Sequence, residues 1–167
     1  MAKLNNLKQL PSVLLDTDVV VNWLIKEVES QTAKELWKSP YKIISFIEDR
    51  KLRGLICLTT LLEIRFLLRR KRNFTDQQIE NFINEITGIF EVVVPDEISL
   101  LEANKLQSKE RLDPFDTILL AVSIVSEFNV LISRDRSFLK IASFHISVYT
   151  PEDFLKQYNS SIEDFSA

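Results

Sequence analysis

The stretch Ser12-Val13-Leu14-Leu15-Asp16-Thr17-Asp18 reads as a short apolar strand that stops at an acid and turns directly into a helix. The pattern recurs along the chain. Strands are predicted at Ser12–Asp16, Leu55–Leu58, Phe90–Val94, Val130–Ser133 and Ile146–Tyr149, with helical patterns between them. Those helices are predicted at Thr17–Glu27, Gln31–Arg50 with a break at Pro40, Thr59–Arg72, Thr75–Ile89, Glu97–Glu110, Pro114–Phe128 and, briefly, Ser137–Ile141. A last one, Pro151–Tyr158, opens with proline at its first position behind Thr150. Such alternation builds an α/β domain around a mainly parallel sheet. In open α/β sheets, ligands bind beyond the carboxyl ends of the strands, where strand order reverses. Chemistry is therefore to be sought at that edge.

The composition agrees with one domain. The 167 residues are 46% hydrophobic and 27% charged, enough to bury roughly 70% of the unfolded surface. Two glycines and five prolines are too few for a disordered linker or a turn-rich all-β fold. The expected division is an N-terminal extension over 1–11, the domain over 12–158 and a frayed tail over 159–167. The single cysteine, Cys57, lies in Leu55-Ile56-Cys57-Leu58 and reads as a small buried hydrophobe. Met1–Pro11 has no apolar core of signal-peptide type, and the most apolar run, Ile118–Val125, is shorter than the roughly 18 residues a membrane span needs. A cytoplasmic chain with no membrane partner is expected. The net charge of −3 argues against a broad basic surface for coating nucleic acid and leaves local basic patches open.

Four acids stand out against these elements. Asp16 ends the first strand, Glu63 lies early in the helix after the second, Asp116 opens an apolar helix and Asp135 follows the fourth strand. Helix capping gives each a plain explanation. Thr60-Leu61-Leu62-Glu63 fits a capping box, Asp113-Pro114-Phe115-Asp116 fits an N-cap with proline at the first position, and Asp135 can cap the short helix after it. Redundancy weakens that explanation: Thr17 and Asp18 could cap without Asp16, Thr59 and Thr60 without Glu63, and Asp113 without Asp116. The residues after Asp116, Ile118-Leu119-Leu120-Ala121-Val122, are apolar on nearly every face, so this acid should be half-buried. Two like charges ~4 Å apart repel by about 4 kcal/mol at an effective dielectric near 20, so a cluster of such acids requires protons or a cation. An all-oxygen site selects Mg²⁺ or Mn²⁺ over zinc. The only histidine, His145, reads as a surface residue.

Taken in order, Leu14-Leu15-Asp16-Thr17-Asp18 with Asn22, Thr59-Thr60-Leu61-Leu62-Glu63, Asp116-Thr117-Ile118-Leu119-Leu120-Ala121 and Ile132-Ser133-Arg134-Asp135-Arg136-Ser137-Phe138 resemble the PIN domain family. These are metal-dependent ribonucleases that include the VapC toxins of toxin–antitoxin pairs. The resemblance runs from Ser12 to about Tyr149. It implies a three-layer fold with a five-stranded parallel sheet, and an acidic quartet of Asp16, Glu63, Asp116 and Asp135. Ser133 matches a hydroxyl position that supports the fourth acid. Asp18 stands where many members carry Asn, and Asp113 is an additional carboxylate of open role.

On this reading the chain is an endoribonuclease. Asp16 and Asp116 are the principal ligands of Mg²⁺ or Mn²⁺, Asp135 holds a second ion or an outer water, and Glu63 orients or deprotonates the attacking water. Asn22, Asp18, Asp113 and Ser133 support them. RNA is the substrate, and a cognate antitoxin and a homodimer are the expected protein partners. Arg65, Arg69 and Arg72 repeat along one helix and could bind RNA phosphates or simply form a solvated face. Phe46, Phe66, Phe82 and Phe128 fall at helical apolar positions and read as core. Apolar residues over Ile43–Ile47 and Ile79–Ile89 could form a dimer face or a groove for a partner helix. Two alternatives stay open: a haloacid-dehalogenase-like phosphatase with Asp16 as nucleophile, and a catalytically silent module that only binds partners.

Overall fold

Val13, Leu14 and Leu15 are fully buried, and a strand apolar on both faces needs cover on both. The structure, a computed structural model, describes residues 10–163 except 127 and 129. Strand β1 (Ser12–Leu15) pairs in parallel with β2 (Arg53–Cys57) on one side and β4 (Val130–Ile132) on the other, so that Leu14 is level with both Leu55 and Leu131. Strand β3 (Glu91–Val93) adds beyond β2 and β5 (Val148–Tyr149) beyond β4. The order β3-β2-β1-β4-β5 reverses direction between β1 and β4, which places the switch point at their carboxyl ends.

Eight helices form the outer layers: α1 (Thr17–Leu24), α2 (Lys38–Glu48), α3 (Leu58–Arg70), α4 (Asp76–Ile89), α5 (Glu97–Gln107), α6 (Pro114–Val125), α7 (Arg136–Ala142) and α8 (Pro151–Glu163). Alternation along β1 divides the core. Val13 and Leu15 pack with Val19, Ile43, Ile64, Ile79 and Phe154 of α1 to α4 and α8. On the other face Leu14, Leu55 and Cys57 pack with Ala103, Leu120 and Phe138 of α5 to α7. In β2, Gly54 allows a close approach of helix and sheet, since a Cβ there would lie 2.6 Å from Ile47 Cδ1 and 3.0 Å from Phe90 Cδ1.

Several expectations change. Helix α2 starts only at Lys38, after turns that include an isolated antiparallel bridge from Val28 to Glu35. Pro40 does not break it, because a first-turn proline lacks only an N–H that has no helical partner. Helix α8 continues to Glu163, past Tyr158 and into the segment expected to fray; residues 1–9 and 164–167 lie outside the described residues. Ile43, Ile44, Ile47, Ile79, Ile83 and Ile86 are all buried, so they are core and cannot serve as a free dimer face or groove. Phe66, expected in the core, is 59% exposed. Among the described residues, no helix is long and apolar enough to cross a membrane.

Candidate active site at the switch point

Asp16 stands where β1 passes into α1. Its N–H still donates to Ile132 O at 3.0 Å, so the residue belongs to the β1–β4 seam. Both carboxylate oxygens are held: Oδ1 accepts from Thr17 N at 2.6 Å, and Oδ2 from Ser133 Oγ at 2.7 Å. Ser133 is fully buried, and its Oγ accepts the Asp135 N–H at 3.0 Å. The hydroxyl expected to support the fourth acid therefore ties the fourth acid's backbone to the first acid's side chain. Burial raises the Asp16 pKa against these hydrogen bonds, with the charges of Asp135 and Asp113 adding to the rise.

Glu63 corrects the capping argument. Strand β2 runs straight into α3 at Leu58, with Cys57 in the N-cap position and no side-chain cap. Thr60 is thus inside the helix, Thr59 Oγ1 contacts Cys57 Sγ at 3.1 Å, and no capping box forms. Glu63 Oε2 instead accepts from Thr17 Oγ1 at 2.7 Å. Thr17, which sequence reasoning treated only as a possible cap, therefore touches Asp16 through its amide and Glu63 through its hydroxyl. Burial raises the Glu63 pKa; the Thr17 hydrogen bond opposes this, and the charges of Asp16 and Asp113 reinforce it.

On α6 the cap is Asp113, whose Oδ1 accepts from Phe115 N at 2.8 Å and Asp116 N at 3.0 Å. Asp116 is free of that duty. Burial first, then the charges of Asp16, Asp113 and Asp135, push its pKa up to about 8. Its neighbour Thr117 is anchored by Gln107 Nε2 at 2.6 Å. Asp135 is the reverse case. It caps α7, accepting from Ser137 N at 2.8 Å and Phe138 N at 3.0 Å, and the hydrogen bond from the Ser137 hydroxyl is the main cause of its lowered pKa.

Asp18 lies one residue beyond Thr17. Its Oδ2 accepts from Arg134 N at 3.0 Å, while Oδ1 is buried without a partner among the described residues. Burial and the Asp16 charge raise its pKa to about 7. The residue that organises this flank is Arg134, which sequence reasoning did not single out. Its Nε donates to Asn22 Oδ1 at 2.7 Å, and its two terminal nitrogens reach Glu152 at 2.9 and 2.8 Å and Leu36 O at 2.8 Å. Asn22 in turn donates to Glu27 at 2.7 Å. Its role is to brace α1.

Each arginine of the proposed stripe meets an acid: Arg65 pairs with Glu80, Arg69 with Asp76 at 2.7 Å, and Arg72 with Glu27. Their charge is largely matched within the fold. His145 lies 3.5 Å from Glu110 and away from the acids at the switch point.

Among the described residues, no three acidic, histidine or cysteine side chains converge tightly enough to form a ready-made metal cage. The donor set nonetheless fits a hard divalent ion in kind. It consists of carboxylates only, with Asp16, Glu63 and Asp116 driven toward protonation by burial and mutual repulsion and an orphaned oxygen on Asp18. A bound cation would relieve what a proton otherwise must.

The whole fold is similar to solved structures. One, VapBC2 from Rickettsia felis bound to a DNA fragment from its promoter, superposes with a TM-score of 0.63 at 12% identity, covering 83% of this chain and 98% of that one. A toxin–antitoxin complex from Klebsiella pneumoniae gives 0.60 at 17%, covering 83% and 97%. FitAcB from Neisseria gonorrhoeae gives 0.58 at 17%, with the same coverage. No curated protein matches in sequence. The family model described as PIN domain matches residues 12–137, a span that takes in β1, the switch point and all four acids, and on that match the chain belongs to the PIN domain family.

Proposed function

We propose that this protein is an endoribonuclease that hydrolyses RNA phosphodiesters with Mg²⁺ or Mn²⁺, and that it is the toxin of a toxin–antitoxin pair. The observation that carries this reading is the set Asp16, Glu63 and Asp116 at the β1–β4 switch point of a PIN domain, three carboxyls raised in pKa where the paired strands send their following helices to opposite faces of the sheet. Asp16 and Asp116 would hold the ion, with Asp135 contributing through its second oxygen. A divalent ion so held would supply Lewis acidity toward the phosphodiester and would make a bound water a stronger acid. Glu63 accepts a proton from the attacking water at Oε1, since Thr17 occupies Oε2. Ser133 and Thr17 fix the Asp16 oxygens so that they need not reorganise as charge develops.

The toxin assignment is supported by the similar solved structures, which are of VapBC and toxin–antitoxin assemblies. A small antitoxin is accordingly the proposed partner, and a homodimer is proposed with it, for which exposed Val94, Ile98 and Leu101 around α5 offer an apolar face. The family match removes the basis for the phosphatase alternative. Incubating the protein with structured and single-stranded RNAs in Mg²⁺, Mn²⁺ or EDTA tests the proposal. Cleavage should require metal and vanish in Asp16→Asn while its far-ultraviolet circular dichroism stays that of the wild type; undiminished cleavage by that variant sinks the assignment, and absence of cleavage by the wild type leaves the silent binding module.

A further inference from the structure

Beside the acids lies an open groove of about 410 Å³ lined by Leu62, Glu63, Phe66, Leu67, Lys71 and Phe115. Its walls carry two exposed aromatics. Phe66 and Phe115 are 59% and 42% exposed, against a core that buries most large apolar side chains. Each aromatic is coupled by position to an acid of the site: Phe66 is three residues after Glu63 on α3, hence on the same helix face, and Phe115 directly precedes Asp116. Glu63 is itself both a wall of the groove and the hydrogen-bond partner of Thr17 beside Asp16. The groove and the candidate active site are thus continuous. At its other end stands Lys71, which, unlike Arg65, Arg69 and Arg72, forms no ion pair among the described residues.

We propose that this groove is a subsite for one unstacked nucleobase of a single-stranded RNA, held against Phe66 and Phe115 next to the phosphodiester at the acids, with Lys71 on a neighbouring phosphate. The inference rests on the nuclease reading and deepens it by naming where substrate is recognised. Exposed aromatic faces with a nearby cation are what single-strand binding requires, because every base has a π-face and every nucleotide a phosphate. The volume lies within the roughly 300–1,000 Å³ of small-ligand sites. A base docked here would fix its own phosphate within reach of Glu63, which Phe66 could not do from the core position that periodicity suggests.

The test uses the full chain carrying Asp116→Asn, so that RNA is bound and not cut, and a short single-stranded oligoribonucleotide with one 2-aminopurine. Binding should change the fluorophore's emission as it leaves its neighbouring bases. Phe66→Ala and Phe115→Ala should each weaken binding roughly five- to 150-fold, the range set by loss of one base–aromatic stack. Phe66→Trp should restore it, and an oligonucleotide abasic at the docked position should bind wild type and Phe66→Ala alike. Both positions are exposed, and unchanged thermal unfolding excludes misfolding as the cause. If wild-type protein cleaves RNA but the alanine substitutions change neither binding in the Asp116→Asn background nor cleavage in the wild-type background, the subsite is refuted while the nuclease reading stands. If they keep RNA binding and lose binding to a protein partner or to a second copy, the groove belongs to a protein and the proposal is wrong. If the wild type neither binds nor cleaves RNA, the nuclease reading fails and takes the subsite with it.

Discussion

Ser133 Oγ donates to Asp16 Oδ2 at 2.7 Å across 117 residues of sequence, and it does so from a fully buried position while accepting the Asp135 amide. Ser133→Ala removes a donor from a buried carboxylate. Stability should fall by about 1–3 kcal/mol. Since this hydrogen bond lowers the Asp16 pKa, its loss raises that pKa further, and the acid limb of the pH–rate profile of RNA cleavage should move to higher pH. A variant with unchanged denaturant midpoint and unchanged profile contradicts this.

Asp116 sets a pH dependence whose sign is fixed. Its folded pKa of about 8 lies above the ordinary 3.8, so the folded state binds the extra proton between those values and stability falls as pH rises through that window. Metal-free protein should melt at a lower temperature at pH 8 than at pH 5, and Asp116→Asn should remove part of the difference. Half-buried and partly screened by water, the group should give a gain on the order of 2 kcal/mol at pH 8 in that variant. Mn²⁺ should stabilise wild type more at pH 8 than at pH 5, which differential scanning fluorimetry can read directly.

Arg134 and Glu152 form a two-pronged pair whose side chains are only 15% and 29% exposed. Removing one partner strands the other charge. Glu152→Gln should destabilise by about 2–4 kcal/mol, and a double-mutant cycle with Arg134→Met should show coupling above ~1 kcal/mol. Arg134→Lys should not rescue, because one ammonium cannot serve Asn22, Leu36 O and Glu152 together. Additive single effects in urea titrations would dissolve this account.

Gly54→Ala should cost about 1–3 kcal/mol in chemical denaturation, since the added methyl meets Ile47 at 2.6 Å and must displace it. Adding Ile47→Val should recover part of that loss; an Ala variant as stable as wild type would show that α2 shifts freely over the sheet.

The strands were readable within a residue or two, because runs such as Val13-Leu14-Leu15 and Val130-Leu131-Ile132 are too short and too apolar to be much else. Asp113 as cap and Asp116 as the surplus acid followed from the Asp-Pro-Phe-Asp spacing. Glu63 was misjudged for a local reason: two threonines precede it, and nothing in sequence says that β2 passes into α3 without a capped turn. Arg134 was invisible for a non-local one, since its side-chain partners lie 112, 98 and 18 residues away. Phe66 shows the limit of periodicity, which places a residue on a helix face and does not say whether another element covers that face.

The seam between β1 and β4 also governs when the molecule can act. Asp16 leaves the ribosome first, Ser133 and Asp135 more than a hundred positions later, and Glu152, which steadies Arg134, later still. No nascent fragment can present the carboxylates in working order, since the first of them lacks its buried hydroxyl donor until the fourth strand has docked. If the protein cuts RNA as proposed, it would then stay inert on the ribosome until β4 and the start of α7 had been made.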